Sequence, residues 1–434
     1  MGKNSRVLKN ASWIIAGQVI QSVLNLVVSM ITARYLGPSN YGLMTYASSV
    51  VAFIVPLVQL GINGILVQEF VEAPEKSGEI IGTATVLTTL SSVLGIVGVW
   101  AFSAVANPGE STTIIVSVIY SVSLFFQMTE MIQYWYQAKL MSKYVSIVSL
   151  VSRILVSIYK IYIVIVGKNI YWFAIVNSLD FLIISALLYI IYFRLGATKL
   201  RFSFGTARKM LSKSKHFIIA GMMVSVFGQT DKIMIKLMVD DAASGFYSAA
   251  ITCATMTSFL FAAIIDSFRP VIFENRKDDL VEYRKNTIIL YSSMIYIALA
   301  QSIALTFLAK PIILLLYGAE YLEAVNVLRI ITWYSAFSYL GAARNIWFLA
   351  EGKQKYIWVT NAIGATVNVI GNMILIPHFG ACGAAIVSVI TQLLTNFVLS
   401  FVILPIRENG ILMIKAFDPR HLIGSVNSII KIKR

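Results

Sequence analysis

Charge is scarce in this chain of 434 residues: Asp, Glu, Lys and Arg together make up 13% of it, histidine occurs three times and cysteine twice. The two cysteines, Cys253 and Cys382, both sit in apolar stretches. They make neither a disulfide framework nor a metal site, and a free thiol there behaves as a small hydrophobe. Acids are the rarer sign, 20 against 35 bases. The basic surplus carries no nucleic-acid motif, so a role on DNA or RNA is set aside. Also missing is any cleavage signal after the first apolar run, which continues into Arg34-Tyr35-Leu36-Gly37-Pro38 rather than into small residues. That run is expected to stay as a helix and not as a removed leader.

What fills the chain is apolar side chain: 58% of residues are hydrophobic and the mean hydropathy is +0.79. A membrane span needs about 20 mostly apolar residues, and about twelve such runs are present. Their limits are 11–33, 42–66, 80–104, 112–137, 144–166, 170–193, 216–238, 244–272, 287–316, 322–350, 356–376 and 381–405. The ninth is long enough to hold a tilted or broken extension at Lys310-Pro311. In lipid every backbone group must be satisfied internally, which leaves helices or closed barrels. Continuous apolar runs are a helix signal, whereas a membrane barrel alternates. The predicted fold is an all-α integral membrane bundle.

Basic residues outside these runs fall almost entirely on one set of alternate connections: the N-terminus, Lys139 and Lys143, 194–215, 276–285, Lys353 and Lys355, and the tail after Ile406. By the positive-inside rule this set is cytoplasmic and both termini lie inside. The opposite connections are short, and none could hold an enzyme domain. The long segment from Arg194 to Lys215 divides the spans six and six. Ile14-Ile15-Ala16-Gly17 answers to Ile218-Ile219-Ala220-Gly221, Gly42 to Gly245, and Lys143-Tyr144 to Lys355-Tyr356. Matches in the same order at nearly the same spacing indicate an internal repeat. Six is even, so the repeat is parallel, with a pseudo-twofold axis along the membrane normal. The expected division is 1–200 and 201–405, two six-helix bundles enclosing a central cavity, with 406–434 a basic cytoplasmic tail, either amphipathic on the inner leaflet or disordered.

Seven bases, Arg153, Lys160, Lys232, Lys236, Arg269, Arg329 and Arg344, lie within the apolar runs, against four acids, Glu130, Asp180, Asp231 and Asp266. An ionised side chain at the bilayer centre costs at least roughly 2.5–3.5 kcal/mol, so such residues face partners or a wet cavity. Arg153 and Lys160 are seven residues apart and share one helix face. Lys232 and Lys236 are at i and i+4, where like charges repel unless an anion or water intervenes. Arg329 and Arg344, fifteen apart, return to nearly one face. Arg269 has Asp266 three residues before it and reads as a local pair, while Lys236 and Arg329 sit where snorkelling is an alternative. Arg153, Lys160, Lys232, Arg344 and Arg329 are therefore the candidate wall of a cationic cavity for an anion. Asp180, Asp231, Asp266 and Glu130 are candidate counter-charges or coupling groups. Arginine forks and lysine point charges both suit a diphosphate.

Four segments carry a resemblance across essentially the whole chain: Ala33 to Gly42, Gln137 to Tyr144, Asp231-Lys232-Ile233-Met234-Ile235, and Ile376-Pro377-His378-Phe379-Gly380-Ala381-Cys382-Gly383-Ala384-Ala385. With them the chain resembles the Wzx-type oligosaccharide flippases, a polysaccharide biosynthesis group within the multidrug/oligosaccharidyl-lipid/polysaccharide (MOP) exporter superfamily. The resemblance implies a MATE- or MurJ-like bundle in a bacterial inner membrane, with no enzyme activity and no cofactor. It implies a flippase moving undecaprenyl-diphosphate-linked oligosaccharide units to the outer leaflet, with polymerase and chain-length proteins of the same pathway as candidate partners; a coupling ion, proton or sodium, is left open by the sequence. Alternatives within reach of the same residues are a lipid II or teichoic-acid-type precursor flippase, a cation-coupled multidrug antiporter and a polysaccharide polymerase. The antiporter fits poorly because residues 11–33 contain no acid, and the polymerase because no large outer loop exists. The charge map predicts that tags at residue 2 and after Arg434 are protected in intact spheroplasts while a tag between Asn107 and Gly109 is labelled. Labelling of either terminal tag from outside would refute this orientation.

Overall fold

The computed structural model describes residues 3–196 and 198–420; side chains are described from residue 24 onward, except Met128. Among the described residues the regular structure is all helical. The elements are α1 (Lys3–Val58), α2 (Asn63–Glu72), α3 (Ser77–Ala106), α4 (Ser111–Ser121), α5 (Ser123–Thr129), α6 (Gln133–Ala138), α7 (Ser142–Val166), α8 (Ile170–Arg194), α9 (Phe204–Met238), α10 (Asp241–Thr255), α11 (Ser258–Asp278), α12 (Leu280–Leu316), α13 (Ala324–Ala350), α14 (Lys355–Leu393), α15 (Leu399–Val402) and α16 (Arg407–Lys415).

Two of these elements are hairpins and not rods. Gly37 in α1 has φ 70° and Gly380 in α14 has φ 55°, the left-handed region that glycine enters without penalty. Along a straight helix Ser29 and Tyr41 would be separated by about 18 Å, yet their hydroxyls are 2.9 Å apart. Gly371 and Val387 would be separated by about 24 Å, yet a Cβ on Gly371 would come within 2.8 Å of Val387 Cγ1. The chain reverses at both glycines. Length and apolarity identify eight candidate spans, or nine with α10 and α11 taken as one span bent by 42°. Opening the two hairpins makes eleven, and α13, the tenth expected run, is a 27-residue helix outside that set. Side chains such as Leu94, Ile165 and Phe307, each more than 70% exposed, would be misplaced in water but are at home against lipid.

Several expected runs are interrupted. The second ends at Val58, followed by a turn in which Leu60 has φ 53° and then by α2. The fourth breaks after Ser121 and again at a 3-10 turn over Glu130–Ile132. The ninth runs as one helix through Pro311, where a tilted or broken extension is expected.

The chain forms two compact units, Met1–Gly245 and Phe246–Arg434. The first therefore also holds α9, which the expected boundary at residue 200 assigned to the second half. Its core gathers Tyr46, Phe70, Trp135, Tyr136 and Tyr192, with the Tyr136 hydroxyl donating to the Leu188 carbonyl at 2.7 Å. In the second unit Phe261, Phe268, Tyr291 and Trp347 are central. The start of the expected tail is part of that core: Leu412 and Met413 of α16 are buried in it, and the Tyr291 hydroxyl lies 2.6 Å from Asn409 Oδ1. Residues 421–434 of the tail lie outside the described residues.

One contact inside the first unit is reciprocal. A Cβ on Gly42 would run into the Asp241 carbonyl and lie 2.7 Å from Gly245 N, while a Cβ on Gly245 would run into the Pro38 carbonyl and lie 3.3 Å from Gly42 N. Each glycine meets the carbonyl four residues before the other. A twofold operator produces this pattern between equivalent residues, and these are the two glycines matched by the sequence repeat. Overpacking of this kind costs roughly 1–3 kcal/mol. Gly42→Ala and Gly245→Ala should each lower the melting temperature in detergent, and the double variant should lose less than the two losses added because they disrupt one contact. Gly228→Ala, with open space around it, serves as the control. Alanine variants melting with the parent would contradict the close contact.

Candidate substrate-binding site

The first unit contains a cavity of about 170 Å³. Both arms of α1 line it (Asn25 and Ser29, then Tyr41 and Thr45), together with Tyr120 of α4, Arg153 and Lys160 of α7, and Asn177 and Asp180 of α8. The turn at Gly37 lays the two arms of α1 side by side, so residues twelve or more apart share a wall. On α7 the two-turn spacing puts Arg153 and Lys160 on the same wall. The lining holds two cations, one carboxylate, two amides and several hydroxyls.

Asp180 is held firmly, 5% exposed, with the Ser152 hydroxyl 2.7 Å from its Oδ1 and 3.1 Å from its backbone carbonyl. Arg153 is held loosely. Its Nε lies 3.4 Å from Asp180 Oδ2, is buried and makes no hydrogen bond, and Nη1 donates to Asn25 Oδ1 at 3.4 Å. No carboxylate among the described residues lies within ion-pair distance of Lys160, which is half-buried, repelled by Arg153 and attracted at longer range by Asp180. Glu130, at the 3-10 turn, is close enough to Asp180 and Arg153 to interact with both.

The other expected site residues lie elsewhere. Lys232 and Asp231 are on α9 of the first unit, half-buried and buried respectively. Arg344 is in the second unit, 1% exposed, and is not among the residues that line this cavity. Nη1 donates to the Thr395 carbonyl at 2.5 Å, the guanidinium stacks 4.7 Å from the Phe348 ring centre, and Thr360 Oγ1 is 3.4 Å away. Thr395 sits in a π-helical turn, Leu394–Val398. Such a turn disturbs the i to i+4 ladder, and Arg344 answers one of its carbonyls. Arg329 is exposed beside Trp333 and an apolar groove of Ile386, Val389 and Ile390. Asp266 pairs with Arg269 at 3.1 Å, both half exposed, as their spacing suggested.

Ion clusters appear that sequence spacing did not bring together. Lys236, expected to snorkel or repel Lys232, is buried, 6% exposed at its side chain, and clamped by Glu110 Oε2 at 2.7 Å and Asp241 Oδ1 at 3.2 Å. The Lys236 ammonium and the Thr113 hydroxyl, both donating to Glu110, hold its carboxyl below the ordinary carboxylate range. Burial opposes ionisation of Glu69, but Lys209 at 2.8 Å and Lys213 at 2.5 Å outweigh it and lower its pKa. Glu351 receives Arg276 at 2.7 Å and the Tyr283 hydroxyl at 2.9 Å. These partners are far apart in the chain, and no local pattern marks them. Among the described residues no group of three His, Cys, Asp or Glu side chains is placed to hold a metal ion.

Comparison with known proteins agrees with the fold. An inward-facing multidrug resistance MATE family transporter of the MOP superfamily is similar at a TM-score of 0.63 and 12% identity, covering 95% of each chain. The lipid II flippase MurJ in an inward closed conformation is similar at 0.60 and 17% identity, over 96% of this chain and 90% of its own. A MOP superfamily transporter from Pyrococcus furiosus, noted for the reverse polarity of its binding pocket, is similar at 0.56 and 12% identity, over 99% and 96%. In sequence, an uncharacterized membrane protein of Methanocaldococcus jannaschii is 24% identical over 229 residues, half of this chain and 45% of that protein, so the match spans under half the relative's length. Residues 7–276 match the polysaccharide biosynthesis protein family. The chain belongs to the polysaccharide biosynthesis protein family, on a fold shared with the MATE and MurJ transporters of the MOP superfamily.

Proposed function

We propose that this protein is a flippase for lipid-linked oligosaccharides. It carries undecaprenyl-diphosphate-linked repeat units from the cytoplasmic to the outer leaflet of a bacterial inner membrane, with both of its own termini in the cytoplasm. The cavity of the first unit carries this reading, because its lining holds two cations, Arg153 and Lys160, against one carboxylate, Asp180, while Glu130 interacts with Arg153 from outside that lining. The volume of about 170 Å³ is below the roughly 300–1,000 Å³ of pockets that enclose drug-sized ligands. It suits a phosphate group with neighbouring hydroxyls, while the glycan extends beyond it and the prenyl chain stays in lipid. A guanidinium and an ammonium in a low-dielectric wall bind phosphate far more strongly than in water. Asn25, Asn177, Ser29 and Thr45 supply neutral hydrogen bonds.

No bond need be made or broken. Translocation by alternating access requires only that the charged headgroup be shielded from hydrocarbon while the parallel repeat of six-span halves rocks between leaflets. Asp180 would balance one of the two cations, and Asp180 or Glu130 would be the group that couples an ion. The cation-antiport alternative would want a site of the opposite sign. A polymerase and chain-length proteins of the same pathway are the partners that would receive the product.

The test is surface polysaccharide in a strain lacking its own flippase, with membrane levels of each variant quantified. Arg153→Ala and Lys160→Ala should reduce display by about tenfold or more, the effect of losing one charged contact to a buried anion. Arg153→Lys should recover part of it, since the charge returns without the fork. Lys415→Ala, an exposed position, should be neutral. Arg344→Ala should lower the amount of folded protein, because Arg344 answers a buried carbonyl, and not the transport per folded molecule. Full complementation by both Arg153→Ala and Lys160→Ala at equal expression would contradict the reading.

A further inference from the structure

Resting on the reading of this cavity as the phosphate receptor, we propose that Asp180 is a resident stand-in for the substrate phosphate. It holds Arg153 in place in the empty site and gives the guanidinium up when substrate binds. The inference comes from the asymmetry of the pair. Asp180 is anchored independently of Arg153 by the Ser152 hydroxyl, 2.7 Å from Oδ1, which also lies 3.1 Å from the Asp180 carbonyl. Arg153 has no comparable anchor. Its closest approach to the carboxylate is 3.4 Å, against about 2.7–2.9 Å for a well-made charge-assisted bond. Its Nε is buried without a hydrogen bond, and its contact with Asn25 is also 3.4 Å.

A guanidinium offers five donors in a fixed fork, and most of that capacity is unmet here. Its side chain is 36% exposed and lines the cavity. Lys160, two turns along the same face, repels it and favours any anion that comes between them. An incoming phosphate therefore finds an arginine already aimed at the cavity, free to rotate onto it without Asp180 following. After the exchange Asp180 keeps the Ser152 hydroxyl but loses its counter-charge. That loss sets a ceiling on affinity and favours return of Arg153 to Asp180 when the phosphate leaves. Asp180 is thus a positioning residue that weakens substrate binding, a role a purely structural carboxylate would not have.

The experiment measures binding of inorganic pyrophosphate to the purified full-length protein in detergent by calorimetry, with melting temperatures recorded in parallel. Asp180→Asn keeps an acceptor for Ser152 while removing the competing charge, and it should bind roughly tenfold more tightly than the parent. Asp180→Glu should restore the parental affinity. Ser152→Ala keeps both charges but frees Asp180 to follow Arg153, and it should weaken binding several-fold. Arg153→Ala should abolish binding in every background. Should Asp180→Asn bind equally or less tightly, the stand-in role is wrong while loss in Arg153→Ala leaves the phosphate receptor standing. Should Asp180→Asn fail to fold, unchanged affinity in Ser152→Ala overturns the proposal instead. If Arg153→Ala binds like the parent, the cavity is not the receptor and the proposal falls with it.

Discussion

A cation inside a bilayer must be answered, because leaving it unpaired in hydrocarbon costs several kcal/mol. Four of the intramembrane cations are answered in three different ways, and the differences mark the candidate site. Lys236 is neutralised by two carboxylates from neighbouring elements. Arg344 is closed into the second core, where a carbonyl from the π-helical turn and the face of Phe348 replace water. Arg153 and Lys160 are left only partly answered, beside a cavity. The first two lie away from the cavity lining, although Arg344 Nε, like Arg153 Nε, is buried without a hydrogen bond. The third leaves its cations on a cavity wall, and that access, not the unmet donor alone, makes it the candidate binding site.

The same constraint explains how much could be read before the structure. Lipid demands long apolar helices, so the twelve runs are visible as composition, and the reversals at Gly37 and Gly380 are marked by glycine next to or near proline. Arg153 and Lys160 on one face of α7 follow from helical spacing alone. Arg344 looked identical in sequence, an arginine in an apolar run, but its role depends on Thr395 fifty-one residues away. Likewise Lys236 meets Glu110, 126 residues before it. The breaks at Ser121 and at 256–257 have no proline or glycine to announce them. Placement of α9 with the first unit was also out of reach, since hydropathy locates a span but not its neighbours.

Family membership and the fold shared with MATE and MurJ transporters give the scaffold, and the proposed substrate rests on the charges that line the cavity. The reciprocal approach of Gly42 and Gly245 belongs to the same picture. Two helices of the first unit meet there backbone to backbone, with room for no side chain.

The central claim is that the substrate phosphate is received by Arg153 and Lys160. A structure of the full chain with a prenyl-diphosphate oligosaccharide tests it most directly. The account predicts phosphate oxygens within hydrogen-bond distance of the Arg153 guanidinium and the Lys160 ammonium, with Asp180 still on Ser152. Phosphates seated elsewhere, with Arg153 unmoved beside Asp180, would contradict it.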